Sequence, residues 1–238
     1  MRSRRVPDVF DRPQDSANRA DRILDAAGVL LLRLGYRKVT IEDVAKQADV
    51  GKGTVYLHWR SKEQLFTALV LRTSMELTEE LLGLVRADPT QVLPHRFLRS
   101  SFLAAVRRPL MFALLTGDTE LLGKLSTGPL RHMKAQSGDQ YSRMMIARGL
   151  LRGDVPHLQY TMRATVLGFY MLESLDREAA NFAAEAKADA IAHVIRLAFE
   201  PAGVPDPTVV AGAATELAAL LESVLSTCRA WIYEGGTP

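Results

Sequence analysis

Apolar side chains recur at spacings of three and four along most of this chain, which is the period of an amphipathic helix. The first such stretch covers residues 18–34, and its apolar positions are Ile23, Leu24, Ala27, Leu30, Leu31 and Leu34. Gly35 is expected to end this helix. After Asp88 and Pro89 no strand-like alternation is found. The pattern therefore predicts an all-α protein.

A second, shorter apolar stripe begins behind Thr40, whose hydroxyl can cap a helix, and Asp43 places negative charge in the first turn. The stripe falls at i, i+3, i+4 and i+7, on Ile41, Val44, Ala45 and Ala48. Residues 49–51 interrupt the pattern. Another short helix is expected from Lys52 to about His58, with Val55 on its buried side. Two short helices joined by so tight a turn predict a helix-turn-helix.

The second helix of this motif carries no carboxylate. Its outward side chains are predicted to be a cation, a hydroxyl, a phenol and an imidazole beside a bare glycine, namely Lys52, Thr54, Tyr56, His58 and Gly53. Such a surface suits a polyanion in a groove. Residues 1–62 hold 13 Lys and Arg against 8 Asp and Glu, and the rest of the chain holds 17 against 19. This imbalance could also be ordinary scatter, so it supports the motif without replacing it.

The same stretch resembles the DNA-binding signature of the TetR/AcrR family of bacterial regulators, densely so over residues 18–71. The matching positions are Thr40, Ile41, Val44, Ala45, Ala48, Val50, Lys52, Gly53, Thr54, Val55, Tyr56, His58, Trp59, Lys62, Glu63 and Leu65. Asp49 stands where the family usually has Gly, Gly51 where it has a capping Ser or Thr, and Trp59 where it has Phe. Asp tolerates the left-handed conformation, and a glycine cap costs only a few tenths of a kcal/mol. These departures leave the expected fold unchanged.

The resemblance implies a role for each matching polar residue. Thr54, Tyr56 and Lys62 are expected to contact phosphates, and Thr40 to offer a hydroxyl and a backbone N–H to phosphate at its helix N-terminus. Lys52 and Gly53 are expected to face base edges. His58 could take either role.

Three regions are expected along the chain. Residues 1–17 lack a period and predict a flexible basic arm, whose Arg2, Arg4 and Arg5 either reach a minor groove or form a solvated tail. Residues 18–62 predict the DNA-binding domain, and 63–238 a helical ligand-binding and dimerisation domain. A long helix capped by Ser61 and ending near Arg86 is expected to link the two, over about 37 Å.

Further helices are predicted at residues 94–107, 109–116, 120–125, 129–152, 158–175, 182–199 and 207–233. The middle ones concentrate Met and aromatic residues, each of which taken alone is more simply a core residue. The family resemblance nevertheless implies an inducer pocket beneath the linking helix. The residues expected to form it are Met111, Phe112, Met145, Arg148, Phe169, Tyr170 and Glu173. Polar groups that could orient a ligand are Arg148, Tyr160, Arg163 and Glu173.

The last helices carry stripes rich in Ala and Leu. The resemblance implies a homodimer built from a four-helix bundle, and any two of the last three helices could form it. Alternatively, the stripes close the core of the monomer.

The chemistry of an enzyme is not apparent in the sequence. The five His residues are scattered without i+3 or i+4 pairs, and there is no complete phosphate loop and no G-x-S-x-G motif. The single Cys228 excludes an internal disulfide and agrees with a reducing cytoplasm. No window approaches the roughly 18–20 uninterrupted apolar residues of a membrane span. We therefore expect a cytoplasmic protein with no cofactor, no metal and no membrane partner.

The sequence predicts a ligand-responsive transcriptional regulator, most simply a repressor. Its expected partners are a palindromic double-stranded DNA operator, a second copy of the chain and a small apolar or amphipathic effector that releases it. Two alternatives remain: a DNA-binding protein with a solid core and no inducer, and an enzyme or carrier with a vestigial DNA-binding head.

Overall fold

The structure is a computed structural model that describes residues 13–123, 125, 129–176, 178 and 181–233, with the backbone alone at 13–16, 129–137 and 173–174. Its α-helices are α1 (Pro13–Lys38), α2 (Ile41–Gln47), α3 (Lys52–His58), α4 (Lys62–Ala87), α5 (Pro94–Val106), α6 (Pro109–Thr116), α7 (Thr119–Leu122), α8 (Pro129–Ala147), α9 (Leu158–Leu175), α10 (Ala184–Phe199) and α11 (Pro207–Tyr233). A 3-10 turn, Pro89–Val92, joins α4 to α5. No strand occurs among the described residues, and the all-α prediction is confirmed.

Several helix boundaries differ from the predicted ones. Helix α1 begins at Pro13, inside the segment predicted to be a flexible arm. Gly35 breaks it as expected, because φ of 75° and ψ of 158° are not helical, and a last turn then continues to Lys38. Helix α8 ends at Ala147, shortly before the left-handed Gly149. The predicted minor-groove residues Arg2, Arg4 and Arg5 lie outside the described residues.

Helices α1 to α3 form a small head whose core is shared with the start of α4. Ile23 and Leu24 of α1, Val44 of α2 and Val55 of α3 are fully buried. Phe66 of α4 is equally buried and meets the ring of Tyr36 edge-on at 5.5 Å between centroids. The first turns of α4 therefore belong to the head, and its 26 residues extend for about 39 Å into the rest of the molecule.

The last helix, α11, packs antiparallel along α4. Ion pairs between Arg86 and Glu222 and between Arg229 and Glu79 mark the two ends of this contact. By length and composition alone, α11 is the one helix in the described part of the chain that could cross a membrane. Here it lies against the linking helix, and its charged side chains are paired: Glu222 and Arg229 with α4, and Glu216 with Arg148, just after α8.

Candidate nucleic-acid interface and internal cavity

Helix α2 is held by a reciprocal capping box. The Asp43 N–H donates to Thr40 Oγ1 over 3.1 Å, while the N–H and hydroxyl of Thr40 both donate to Asp43 Oδ2, at 2.9 and 2.7 Å. These hydrogen bonds lower the pKa of Asp43. Both donors that Thr40 was expected to offer a phosphate are thus already occupied by Asp43. The cap function of Thr40 is confirmed, and its expected phosphate contact would require displacing a carboxylate.

The turn between α2 and α3 depends on Asp49, which has a φ of 52° in the left-handed region. Asp tolerates this conformation, so Asp49 can occupy the position where the family usually has Gly. Gly51 begins α3 with extended backbone and without a side-chain cap. The turn directs α3 so that Val55 faces the core while most of its other side chains face solvent.

The exposed surface of α3 consists of Lys52, Gly53, Tyr56 and Leu57, with Thr54 and His58 half-buried at its edges. A Cβ atom added at Gly53 would meet no heavy atom within 4 Å, so nothing inside the protein requires a glycine there. Leu57 is 85% exposed and is not among the predicted DNA-binding residues. The sequence could have indicated that Leu57 is exposed, because Leu57 follows Tyr56 on a helix whose only buried residue is Val55.

The two lysines of the predicted interface have different surroundings. Lys52 is exposed, and its Nζ lies 3.7 Å from Glu42 Oε2 at the start of α2. Lys62 is half-buried, and its Nζ lies 4.5 Å from the centroid of the Tyr36 ring. Burial lowers the pKa of Lys62. Lys62 therefore also stabilises the junction of α1 and α4, because a cation over an aromatic face is attracted to it.

Trp59, which replaces the usual Phe, is buried, and its ring lies beside that of His58, with 5.3 Å between centroids. Its indole Nε1 has no hydrogen-bond partner within the described residues. Phe would fill this position without that orphan donor, so the larger ring packs at the cost of an unmade hydrogen bond.

Several contacts hold α1 of the head against the rest of the molecule, including the part of α4 beyond its first turns. Arg72 of α4 pairs with Asp25 of α1 at 2.6 Å. The Tyr233 hydroxyl, at the end of α11, donates to Asp21 Oδ1 at 2.6 Å. After α7, Gly123 lies so close to Tyr36 that an added Cβ would come within 2.8 Å of the ring. The rest of the molecule therefore contacts α1 at Asp21, in the middle of the helix, and at Tyr36, near its end.

Helices α5, α6, α8, α9 and α11 surround a cavity of about 460 Å³, a typical size for a small-molecule site. Its apolar lining includes Leu114, Leu115, Met162, Val166, Leu221 and Val224. Its polar lining consists of Ser101, Asp139, Tyr141, Ser142, Gln159, Arg163 and Tyr170.

Seven residues were predicted for a ligand site, and among the six whose side chains the structure describes, Tyr170 alone lines this cavity. Met111 and Met145 are buried, and Phe112 and Phe169 are half-buried, but these four are core residues outside the lining. Arg148 instead pairs with Glu216 of α11 at the surface. The side chain of Glu173 lies outside the described residues. Arg163, one of the polar candidates, does line the cavity, whereas Tyr160 is exposed.

A helical pair joined by a tight turn, with a carboxylate-free exposed second helix, defines a helix-turn-helix protein. Residues 23–69 match the family model of the bacterial regulatory proteins of the tetR family. The chain is 37% identical over 65 residues to the uncharacterized HTH-type transcriptional regulator YhgD of Bacillus subtilis, covering 27% of this chain and 34% of that protein. It is 32% identical over 111 residues to the HTH-type transcriptional regulator AlkX of Mycobacterium tuberculosis, covering 44% and 52%. Over residues 23–69 the chain therefore carries the sequence signature of the tetR family of bacterial regulatory proteins.

The solved structure of NalD from Pseudomonas aeruginosa has the same fold. It superposes with a TM-score of 0.56 at 18% identity, over 80% of this chain and all of that one. The sequence matches are shorter, and the chain spans between 24% and 56% of the length of the curated relatives it matches. The family model itself covers residues 23–69, which are most of the head and the first turns of α4.

Proposed function

We propose that this protein is a transcriptional repressor that binds a palindromic operator as a homodimer in the cytoplasm and is released by a small apolar or amphipathic molecule. The exposed, carboxylate-free surface of α3 is the observation that carries the proposal. A helix of this kind enters the major groove, where side chains contact base edges. We propose a repressor and not an activator because NalD, which has the same fold, is described as the secondary repressor of a multidrug efflux pump.

The proposed division of labour on the DNA follows the exposed side chains. Lys52 and Gly53, at the start of α3, face base edges, and the missing side chain of Gly53 allows a close approach. Thr54 and Tyr56 contact phosphates at the rims of the groove, and Lys62 adds a cation nearby. His58 stays assigned to either role. Thr40 acts chiefly as the cap that holds α2, since its donors are occupied by Asp43.

The dimer is proposed to form through α9 and α10. On α9 an exposed stripe recurs at helical spacing on Ala164, Gly168, Met171, Leu172 and Leu175. On α10 a similar stripe consists of Ala186, Ala190, His193 and Leu197. Small residues among large apolar ones allow two helices to approach closely. By contrast, Leu217, Leu225 and Cys228 of α11 are buried within the monomer, so α11 closes the core and is the less suitable pairing helix.

In the proposed switch, two series of contacts connect the walls of the cavity to the head. Leu114 and Leu115 line the cavity from α6, which leads through α7 to the contact between Gly123 and Tyr36. Leu221 and Val224 line it from α11, whose end contacts Asp21. A bound molecule that displaces either wall tilts α1 and with it α3. It must favour the tilted state by several kcal/mol in order to empty the operator.

The two alternatives have different support. An open cavity of this size favours a ligand-responsive protein over one with a solid core. The match of residues 23–69 to a family of bacterial regulatory proteins favours a non-enzymatic role over a catalytic one.

Footprinting on the DNA beside the protein's own gene tests the proposal. We expect one protected site with two-fold symmetry, bound by two chains. Uniform protection that is independent of sequence, or binding by a single chain, would contradict it.

A further inference from the structure

Tyr170 is a mostly buried residue of the cavity lining whose hydroxyl has an open hydrogen-bonding position. The side chain is only 4% exposed, and its ring is wedged between Phe102 and Phe112, at 4.9 and 6.2 Å between centroids. Among the described residues its hydroxyl has no hydrogen-bond partner. Buried polar groups are nearly always satisfied, so an unpartnered one facing a cavity indicates a ligand or an ordered water.

The other buried hydroxyls of the lining are already committed. Ser101 Oγ donates to the Phe97 carbonyl at 2.7 Å, and Ser142 Oγ donates to the Gly138 carbonyl at 3.0 Å. The Tyr141 hydroxyl donates to the Val92 carbonyl at 3.2 Å. Tyr170 therefore differs from each of them in having a proton to donate to an incoming molecule.

The charged side chains that the structure describes in the lining neutralise one another. Arg163 and Asp139 form an ion pair at 2.9 Å, and both side chains are more than a third exposed, which places them toward solvent. Gln159, the remaining polar residue of the lining, is also exposed. A ligand carboxylate would have to displace Asp139 from Arg163 or lose its hydration against apolar walls, and burying an unpaired charge is costly. Burial also raises the pKa of Tyr170, so its phenol keeps its proton at neutral pH.

We infer that the cavity takes an uncharged, largely apolar molecule with a hydrogen-bond acceptor, such as a ketone, ester or lactone oxygen, that accepts the hydrogen bond of the Tyr170 hydroxyl. This inference rests on the proposed function, which leaves the effector only as apolar or amphipathic. It narrows the class of effector by excluding fatty-acid-like anions and by requiring a hydrogen-bond acceptor at one position of the effector.

The test uses three probes of matched length on the full-length protein: 2-undecanone, undecane and undecanoate at pH 8. Each is titrated against Nile red, an uncharged fluorescent dye with a carbonyl group, and the displacement constant is measured. We expect 2-undecanone to bind about fivefold more tightly than undecane, which corresponds to one net hydrogen bond. Undecanoate should bind more weakly than 2-undecanone.

Tyr170→Phe should bring the ratio between ketone and hydrocarbon close to one while leaving undecane binding unchanged. The substitution removes one unpartnered oxygen and keeps both ring contacts, so the variant should remain folded. Tyr160→Phe is the matched control, because it deletes an exposed phenol from the same helix and should change nothing. Leu115→Trp fills the cavity and should abolish Nile red binding, which locates the dye.

A ratio that is unchanged in Tyr170→Phe, or undecanoate binding as tight as that of the ketone, overturns the inference. So does the absence of Nile red binding to the wild type. Operator binding is measured on the same samples by fluorescence anisotropy. If the Tyr170-dependent preference is present but 2-undecanone leaves operator affinity unchanged, the ligand class holds and the proposed release mechanism fails.

Discussion

The Tyr233 hydroxyl donates a hydrogen bond to Asp21 across 212 residues of sequence, with 2.6 Å between oxygens. It joins the end of the last helix to the first helix of the DNA-binding head. Because α11 also lines the cavity, this contact connects a wall of the cavity to the head. Burial and the bond to Asp21 raise the pKa of Tyr233 to about 12.

Alkaline pH should weaken the fold through this tyrosine. The ordinary pKa of a tyrosine is 10.0, so between pH 10 and about 12 the unfolded phenol loses its proton while the folded one keeps it. The folded state then binds more protons, and stability falls as pH rises through this window. Tyr233→Phe should show a shallower decline of the free energy of unfolding than the wild type, measured by urea titration at pH 9 to 11.5. An equal slope in both proteins would show that the contact does not form in solution.

Gly53→Ala should separate folding from DNA binding. The added methyl group meets nothing inside the protein and favours the helix, so the free energy of unfolding should rise by up to about 1 kcal/mol. On DNA the same methyl group stands where the backbone approaches base edges, so operator affinity should fall at least tenfold. Gly83→Ala is the control, since it lies in α4 with equal free space and should stabilise without affecting binding. Unchanged operator affinity in Gly53→Ala would contradict the placement of α3 in the major groove.

Glu42→Gln should strengthen DNA binding. Glu42 Oε2 lies 3.7 Å from Lys52 Nζ, so it competes with DNA for that cation and adds a negative charge near the phosphates. We expect tighter binding to operator and non-specific DNA, measured by anisotropy at several salt concentrations. Glu185→Gln on α10, far along the chain from the head, should bind like the wild type. A neutral or weakening effect of Glu42→Gln would place Lys52 away from DNA.

Lys62→Ala and Lys52→Ala should affect DNA binding in different ways. Loss of Lys62 should weaken binding to all sequences alike and reduce the salt slope by about one unit. It should also cost about 0.5–1 kcal/mol of stability, because its cation packs over Tyr36. Loss of Lys52 should in addition change which operator sequence is preferred. Selection of bound sequences from a random duplex library distinguishes the two, and an identical preference in both variants would contradict the assignment.

Leu172→Glu should break the dimer. Leu172 lies in the exposed stripe of α9, and a carboxylate at an apolar contact must be desolvated when two copies meet. Sedimentation velocity should show monomers that remain folded by circular dichroism. Val204→Glu replaces another exposed apolar residue, in the loop before α11, and should stay dimeric. If the Leu172→Glu protein is still dimeric, the dimer interface does not include the exposed stripe of α9.

The head could be predicted from sequence because its determinants are local. Thr40 and Asp43 cap a helix three residues apart, Asp49 turns the chain, and Val55 faces inward on a helix of seven residues. Each of these depends on neighbours within one or two turns. Only the capping hydrogen bonds, which occupy both donors of Thr40, altered an expected role.

The cavity could not be predicted because its walls depend on which helices become neighbours. Arg148 was expected near a ligand, yet it meets Glu216 across 68 residues of sequence. Leu221 and Val224 have the same apolar period as a dimer stripe, yet they face the cavity. The period of a helix identifies an apolar face and not the partner of that face. Tyr170 was predicted as one of the Met and aromatic residues of the middle helices, and it does line the cavity.

The central claim is that two copies of α3 lie in successive major grooves on one face of the duplex. Inserting about five base pairs between the half-sites turns one of them to the opposite face, since one helical turn takes roughly ten. We expect operator affinity to fall at least tenfold with this insertion and to be unchanged when the same base pairs are added outside the half-sites. Affinity that is equal for both duplexes would contradict the account.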